Sequence, residues 1–258
     1  MSAVALAVHQ FRFDQKVFWR NPASVFFTVM LPVIFLVIFS ALFSGDDVQV
    51  GGETISTETY YVPAITCLGV ISATLVNLAI NLTRARDAGQ LKRLRGTPVP
   101  TWAVFAGRIG NSIVLSLLMF VLVTTIGALA FDVDVPWDHL PAILVPLVIA
   151  AASFCALGIA LTSVIPSDEA APAVTNFSVL PLYFLSGIFI PQTEIPDGIL
   201  TAAGVFPIRN FFLAFFTSYE PGVTGAGFEW GHLAIVAAWG LGGMLLAIRF
   251  FRWTPRTA

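Results

Sequence analysis

Six blocks of about twenty apolar residues recur along the chain, and they constrain its fold more than any other feature. About 20 helical residues cross a hydrocarbon core of about 30 Å, and lipid offers the backbone no hydrogen-bond partner, so each block is expected to be a helix. The chain is 57% hydrophobic and 11% charged, unlike soluble domains. The sequence predicts an all-α integral membrane protein, one transmembrane domain over residues 1–258, whose first span is retained rather than cleaved. The six predicted spans are 24–43, 60–83, 109–131, 140–162, 171–190 and 232–249.

The distribution of basic residues predicts the orientation. With six spans, all but one of the 13 Lys and Arg residues fall on one side, and Arg209 alone opposes them. Translocating a basic residue is disfavoured by roughly 2.5–3.5 kcal/mol, so we expect that side, with both termini, to face the cytoplasm across the cytoplasmic (inner) membrane. Most of the acidic residues then lie outside. The basic residues on the cytoplasmic side are Arg12, Lys16, Arg20, Arg84, Arg86, Lys92, Arg93, Arg95, Arg108, Arg249, Arg252 and Arg256.

Residues 1–21 are too charged to span but carry a helical pattern. Basic residues recur at spacings of three and four, and apolar residues lie on another face. We predict an amphipathic helix on the inner leaflet, which serves either as an anchor alone or also as an elbow that contacts a cytoplasmic partner. The basic face holds His9 and the anchor residues Arg12, Lys16 and Arg20, and the apolar face holds Val4, Val8, Phe11 and Phe18.

The cytoplasmic loop between spans two and three, residues 84–101, has the sequence RARDAGQLKRLRGTPVPT. Leu91 and Leu94 are expected to face the membrane, with the basic residues between them exposed, in a short helix that ends at Gly96. One interpretation is a basic loop that only fixes topology. The alternative is a loop that transmits force, because Pro98 and Pro100 fix its exit angle.

Residues 191–229 form the outer segment before the last span. Its apolar runs, 199–208 and 211–216, are too short to cross a membrane and are typical of re-entrant or interfacial helices. Arg209 lies between them. It is expected either to reach outer headgroups or pair with Glu194, Asp197 or Glu220, or to act at a gate or contact substrate.

Within the spans, ionisable residues are almost absent, which argues against an ion or proton relay. Asn77 and Asn81 lie one turn apart, on a face continued by Gly69 and Ala73, so they either pack helices or line a pathway. Cys67 and Cys155 are expected to be buried thiols, and the three histidines are isolated, so no metal site is predicted. Aromatic residues of spans one and five face either lipid or a translocation surface, among them Phe26, Phe27, Phe35, Phe39, Phe177, Tyr183 and Phe184.

No phosphate-binding G-x-x-x-x-G-K-[ST] loop occurs in the 258 residues, and the glycine cluster 222–227 lacks the lysine. If ATP drives this protein, another polypeptide must bind the nucleotide and its Mg²⁺. No cofactor is expected in this chain.

The run Asp87-Ala88-Gly89-Gln90-Leu91-Lys92-Arg93-Leu94-Arg95-Gly96-Thr97-Pro98 resembles the acidic-x-Gly-x-Leu-x-x-Leu-x-x-Thr-Pro pattern of permease subunits of type-2 ABC exporters, of the daunorubicin-resistance and polysaccharide-export kind. Lys92 departs from the acidic or polar residue expected there. The resemblance implies that this loop holds a coupling helix that seats in an ATPase subunit, and that the outer segment forms short helices dipping back near the exit. The implied coupling residues are Asp87, Gly89, Leu91, Leu94, Thr97 and Pro98, and the implied outer-gate residues are Pro191, Pro207 and Arg209.

The predicted function is therefore the permease subunit of an ABC exporter for an amphipathic drug, lipid or glycan-linked lipid. Two permeases, as a homodimer or a heterodimer, would bind a separate ATPase subunit and membrane lipids, but no nucleic acid. The alternative is an ATP-independent channel or secondary transporter, which would need an intramembrane ion site or internal repeats. A membrane enzyme would need clustered acids, and Asp168-Glu169 is better explained as the cap of span five.

Overall fold

A computed structural model of the chain describes residues 3–43, 47–50, 53–96, 100–220 and 226–251. Those residues are mostly helical, and the long helices pack side by side as a bundle. The helices are α1 (Ala3–Trp19), α2 (Pro22–Leu42), α3 (Thr57–Asp87), α4 (Gln90–Arg95), α5 (Thr101–Phe131), α6 (Leu140–Leu161), α7 (Ala171–Ser186), α8 (Asp197–Ala203), α9 (Pro207–Phe216) and α10 (Trp230–Phe250). Short 3-10 turns occur at Trp137–His139, Gln192–Glu194 and Thr217–Tyr219.

Five helices in the described residues, α2, α3, α5, α6 and α10, are long and apolar enough to cross a membrane, and the chain is a multi-pass membrane protein. The fifth predicted span, 171–190, is a helix only to Ser186. At 16 residues and 1.5 Å per residue it extends about 24 Å. A sixth crossing is counted if α8 and α9, whose axes differ by 101°, form one span. The predicted short helices before the last span are α8 and α9, and their re-entrant role stays a prediction.

A two-stranded hairpin corrects the expectation of a purely helical fold. Between α2 and α3, strand β1 (Asp47–Val50) pairs antiparallel with β2 (Glu53–Ser56). Val48 and Ile55 face each other in the register and are both buried. This connection carries two acidic strand residues, Asp47 and Glu53, and has no long apolar pattern, so no element was predicted there.

The core lies around α3 and α6, each buried along two thirds of its apolar window, whereas α2 and α10 are mostly exposed. Nearly every residue of α3 from Tyr60 to Ile71 is buried. The α9 helix wedges into this core through four enclosed phenylalanines. Burying aromatic side chains of this size contributes strongly to packing. The four are Phe211, Phe212, Phe215 and Phe216.

Small residues let α6 and α10 approach closely. A Cβ added at Gly240 would clash with Ser153, and one added at Gly243 would lie 3.0 Å from the backbone nitrogen of Leu157. Small residues at such a contact allow two backbones to pack without hydrophobic side chains between them. The two helices therefore form one tightly packed pair.

The structure brings several predicted cytoplasmic segments to one end of the bundle, called the basic end. It includes α1, the end of α3, α4, the start of α5 and the end of α10, where Phe105 packs edge-on against Phe251 at 6.0 Å. The opposite, acidic end includes the hairpin, α8, α9 and the turn that follows α7. This arrangement separates the loop with the coupling motif from the outer segment by the length of the bundle.

Candidate functional site

Gly89 forms the junction between α3 and α4. Its φ of 69° lies in the left-handed region that favours glycine. The preceding residue, Ala88, donates its backbone N–H to the carbonyl of Arg84, where α3 ends. The chain can thus leave one helix and begin the next within two residues. This explains the glycine of the coupling motif by backbone geometry.

Arg86 fastens this junction to the loop between α6 and α7. Its side chain is 1% exposed. Its Nη1 donates to the carbonyl oxygens of Thr162 at 2.9 Å and Ile165 at 3.1 Å, and its Nη2 donates to that of Pro166 at 3.3 Å. These carbonyls close the C-terminal end of α6, where positive charge is favourable. From the sequence, Arg86 is expected only to help fix the orientation of the chain in the membrane.

Asp87 joins the same network. Its Oδ1 accepts from Arg86 Nε at 2.8 Å, and its Oδ2 accepts from the backbone nitrogen of Asp168, also at 2.8 Å. The expectation that Asp168-Glu169 caps span five is wrong, because α7 has Ala170 at its N-cap and no side-chain cap. Ser167 Oγ accepts from Ala170 instead, at 3.3 Å. Arg86, Asp87 and their partners in 162–168 are called the junction clamp.

Leu91 anchors α4 from within. Its side chain is 3% exposed and belongs to one buried cluster with Leu82 of α3, Cys155 and Ile159 of α6 and Ala247 of α10. The expectation that Leu91 faces the membrane is wrong, because the side chain is enclosed by the protein's own helices. Direct contact with an ATPase does not fit an enclosed side chain, so we expect Leu91 to position the helix.

The outer face of α4 is basic. Lys92, Arg93 and Arg95 are exposed, and Leu94 is half-buried. Two of the predicted coupling residues, Thr97 and Pro98, lie outside the described residues, and their role stays a prediction. The arrangement is a short charged helix, held from behind by Leu91 and at its start by the junction clamp.

The α1 helix packs along the start of α5. Gly107 admits it closely, since a Cβ there would lie 2.9 Å from Gln10. The predicted basic face is exposed, with Arg12, Lys16 and Arg20 all outward. On the predicted apolar face, Phe18 is buried against the bundle and Val8 is 50% exposed, and the expected contact of this face with lipid stays a prediction.

Asp14 lies on the face of α1 that packs against the bundle, whereas Val8 does not. This position of Asp14 was not predicted from the sequence. Its Oδ1 accepts from Gln10 at 3.0 Å. Burial raises the pKa of Asp14, although nearby Arg108 and the Gln10 hydrogen bond act in the opposite direction. Spacing gave the signal, because Ala7, Phe11, Asp14 and Phe18 follow each other at three and four residues.

Asn210 holds the bend between α8 and α9. Its Nδ2 donates to the carbonyls of Gly204 at 2.7 Å and Phe206 at 2.8 Å, and its Oδ1 lies 2.8 Å from His232 Nδ1. Because the amide oxygen accepts, the ring nitrogen carries the proton. Trp239 Nε1 of α10 donates to Val205 O at 2.8 Å. The sequence pattern predicted neither the role of Asn210 nor its contact with His232.

Among the described residues, Arg209 at the acidic end bonds neutral oxygens rather than a carboxylate, and its expected contact with outer headgroups stays a prediction. It is 9% exposed, and it donates to Ser186 O at 3.5 Å and to Gln192 Oε1 at 3.0 Å. Tyr60 OH donates to Gly187 O, one residue on, at 2.5 Å. Pro191 precedes the 3-10 turn Gln192–Glu194, and Pro207 is the first residue of α9. Arg209 therefore fixes the turn after α7 against α9, and the proposed gate role is untested.

The aromatic residues predicted in spans one and five divide into two groups. Phe35, Phe39, Tyr183 and Phe184 surround Phe189, with ring centroids 5.1–5.9 Å away. The remaining three are exposed on the chain's surface. Their exposed fractions are 47% for Phe26, 61% for Phe27 and 82% for Phe177.

Asn77 and Asn81 are brought together at the basic end, where Asn81 Nδ2 donates to Asn77 Oδ1. Both line a cavity of about 180 Å³ between α1, α3 and α5. The other two members of their predicted row pack more tightly, with Gly69 against Met119 and Ala73 buried. The row thus combines helix packing with a polar wall.

Known proteins resemble this chain in sequence. A family model described as ABC-2 type transporter matches residues 9–218. The probable multidrug ABC transporter permease YbhR of Escherichia coli K12 is 22% identical over 152 residues, 59% of this chain and 41% of YbhR. The inner membrane transport permease YadH of the same strain is 26% identical over 172 residues, 66% of each chain. The chain therefore spans less than half the length of YbhR.

Proposed function

The chain belongs to the ABC-2 type transporter family, and on this basis we propose that it is the membrane-spanning permease subunit of an ATP-binding cassette exporter. A separate ATPase subunit would bind ATP and Mg²⁺ and supply the energy. The basic end would face the cytoplasm with both termini, in agreement with the distribution of Lys and Arg.

The observation that carries the proposal is the way in which α4 is attached to the long helices. Its exposed Lys92, Arg93 and Arg95 offer a charged surface to a soluble partner, whereas Leu91 and the junction clamp tie it to α3, α6 and α10. A force on α4 is thereby transmitted to several long helices at once. A loop that served only to keep basic residues in the cytoplasm would not require this connection.

The proposed substrate is an amphipathic drug, lipid or glycan-linked lipid, moved outward. Spans with few ionisable residues favour such cargo over ions. A second permease, identical or related, would complete the path. The exposed apolar side chains of α2 and α7, such as Phe27 and Phe177, suit a surface covered by lipid or by that second subunit.

The test is co-purification of the tagged chain from its native membranes with an ATP-binding subunit, followed by ATPase and transport assays of the complex in liposomes. We expect the purified chain alone to hydrolyse no ATP. Reversing charge on α4, by Lys92→Glu with Arg93→Glu and Arg95→Glu, should reduce partner binding or transport at least about tenfold, because charge pairs across such interfaces are strong. Leu91→Asp together with Leu94→Asp should leave hydrolysis but uncouple it from transport.

The matched control places charge changes at the acidic end, by Asp134→Lys with Asp138→Lys on exposed positions. This variant should bind the ATPase as the parent does. Transport that persists after both the α4 charge reversal and the leucine substitutions would contradict the proposed role of α4.

A further inference from the structure

The cavity between α1, α3 and α5 carries unused positive charge. Arg84 and Arg108 both line it, and among the described residues neither side chain makes a hydrogen bond or an ion pair. Asp14 is the one carboxylate on the lining, and its Oδ1 is already occupied by Gln10. Arg108 is half-buried beside Asp14, and Arg84 is exposed at the rim, so two guanidinium groups against one carboxylate leave an excess of positive charge in a small, partly open cavity.

Hydrogen-bonding capacity is also left over at this wall. Asp14 Oδ2, Arg108 Nε and Asn111 Oδ1 are enclosed without a partner in the described part of the chain. Asn77 uses its oxygen for Asn81 and keeps its amide hydrogens for the cavity. Enclosed polar groups without partners are unfavourable. A phosphate oxygen would satisfy the Arg108 and Asn77 donors, whereas the Asp14 and Asn111 oxygens are acceptors that need a donor, such as a head-group hydroxyl.

The mouth of the cavity is apolar. Phe13 and Val17 of α1 line it, and they are 53% and 45% exposed. Large apolar side chains in this position are expected to contact acyl chains, since α1 lies along the bundle at its basic end. A ligand that satisfies both parts has an anionic head and an apolar tail.

We propose that this cavity binds the phosphate-bearing head group of an anionic membrane phospholipid, with Arg84 and Arg108 holding the phosphate and the acyl chains lying over Phe13 and Val17. Arginine suits this role because its planar donors match phosphate oxygens. A volume of about 180 Å³ accommodates a phosphate with part of the glycerol. Under the proposed topology, the lipid would belong to the inner leaflet.

The lipid would also join α1 to α3 and α5. The cavity wall is shared by these three helices and by Gln90 at the start of α4. Occupancy would therefore hold the amphipathic helix against the segment that leads to α4. Binding is a property of the chain itself and is measured without nucleotide, ATPase or transport.

The experiment is native mass spectrometry of the purified full-length chain in detergent, titrated with phosphatidylglycerol or phosphatidylcholine of equal acyl length. We expect phosphatidylglycerol to be retained preferentially. Arg84→Gln with Arg108→Gln should weaken its retention about tenfold, the loss of one or two charge-assisted hydrogen bonds. Lys92→Gln with Arg93→Gln removes the same charge from the exposed face of α4 and should have no effect.

Two further variants separate binding from misfolding. Arg108→Lys keeps the charge and should retain part of the affinity, whereas Asn77→Leu fills the cavity with both arginines intact and should lose it. Equal retention of lipid by the parent and the Arg84/Arg108 variant would overturn the proposal, as would an equal loss in the Lys92/Arg93 control. Displacement of the lipid by millimolar inorganic phosphate alone would assign the site to a free anion instead.

Discussion

At the scale of single residues, Arg86 is the position where charge and structure are most closely connected. Burying a guanidinium is costly unless hydrogen bonds satisfy it. Here three carbonyl oxygens and the Asp87 carboxylate do so. The same interactions link residues about eighty positions apart in sequence, so the loss of one side chain would disconnect two parts of the chain.

Arg86→Ala is expected to lower the free energy of unfolding by about 3 kcal/mol, because it orphans buried carbonyls and leaves Asp87 without its cation. Thermal unfolding in detergent should show a fall of at least about 5 °C. The Arg86→Lys variant should have an unfolding temperature between those of the parent and the Arg86→Ala variant, since an ammonium keeps the charge but lacks the planar donors of arginine.

Arg93→Ala is the control for charge loss on the same loop. Arg93 is exposed, and a change at such a position is usually within about 0.5 kcal/mol. If the Arg86→Ala and Arg93→Ala variants unfolded at the same temperature, the junction clamp would contribute nothing measurable to stability.

At the scale of elements, the α8–α9 bend depends on side chains from outside it. Asn210 bonds the carbonyls of the turn, and His232 and Trp239 reach it from α10. A sequence with two short apolar runs specifies two short helices but not their 101° angle. The angle is set by these tertiary hydrogen bonds.

Asn210→Leu should loosen this turn while preserving side-chain volume. Hydrogen–deuterium exchange of backbone amides in residues 201–212 is expected to accelerate at least about tenfold, the effect of roughly 1.4 kcal/mol on local opening. Asn176→Leu, an exposed position on α7, provides the matched control. Unchanged exchange in residues 201–212 would mean that the bend is held by packing alone.

Hydrophobic blocks predicted the long helices because the signal is local: span four was expected to begin at 140 and α6 does begin at Leu140. Tertiary partners are not local. The roles of Arg86 and Asn210 depend on backbone carbonyls, which carry no residue-specific signal. A partial signal existed for Arg86, since it continues the face of buried Ala79, Leu82 and Thr83 at helical spacing.

At the scale of the whole molecule, the orientation in the membrane is directly measurable. Cys67 and Cys155 are both buried free thiols, so the natural sequence gives a low background for thiol labelling. Lys92→Cys reports on the basic end, and Asp134→Cys reports on the acidic end; both positions are exposed.

A membrane-impermeant maleimide should label the Lys92→Cys variant in inside-out vesicles only, and the Asp134→Cys variant in right-side-out vesicles only. This follows if the basic end faces the cytoplasm. The reverse pattern would invert the proposed topology and place α4 where no cytoplasmic ATPase can reach it.

The α10 helix contacts both ends of the bundle. His232 and Trp239 bond the bent segment, and Ala247, about 22 Å beyond His232 and about 12 Å beyond Trp239, belongs to the same buried cluster as Leu91. The helix also approaches α6 closely at Gly240 and Gly243. If α10 couples a cargo site to α4, linkage makes the coupling reciprocal: the factor by which the partner at α4 changes the affinity for cargo equals the factor by which cargo changes the affinity for that partner.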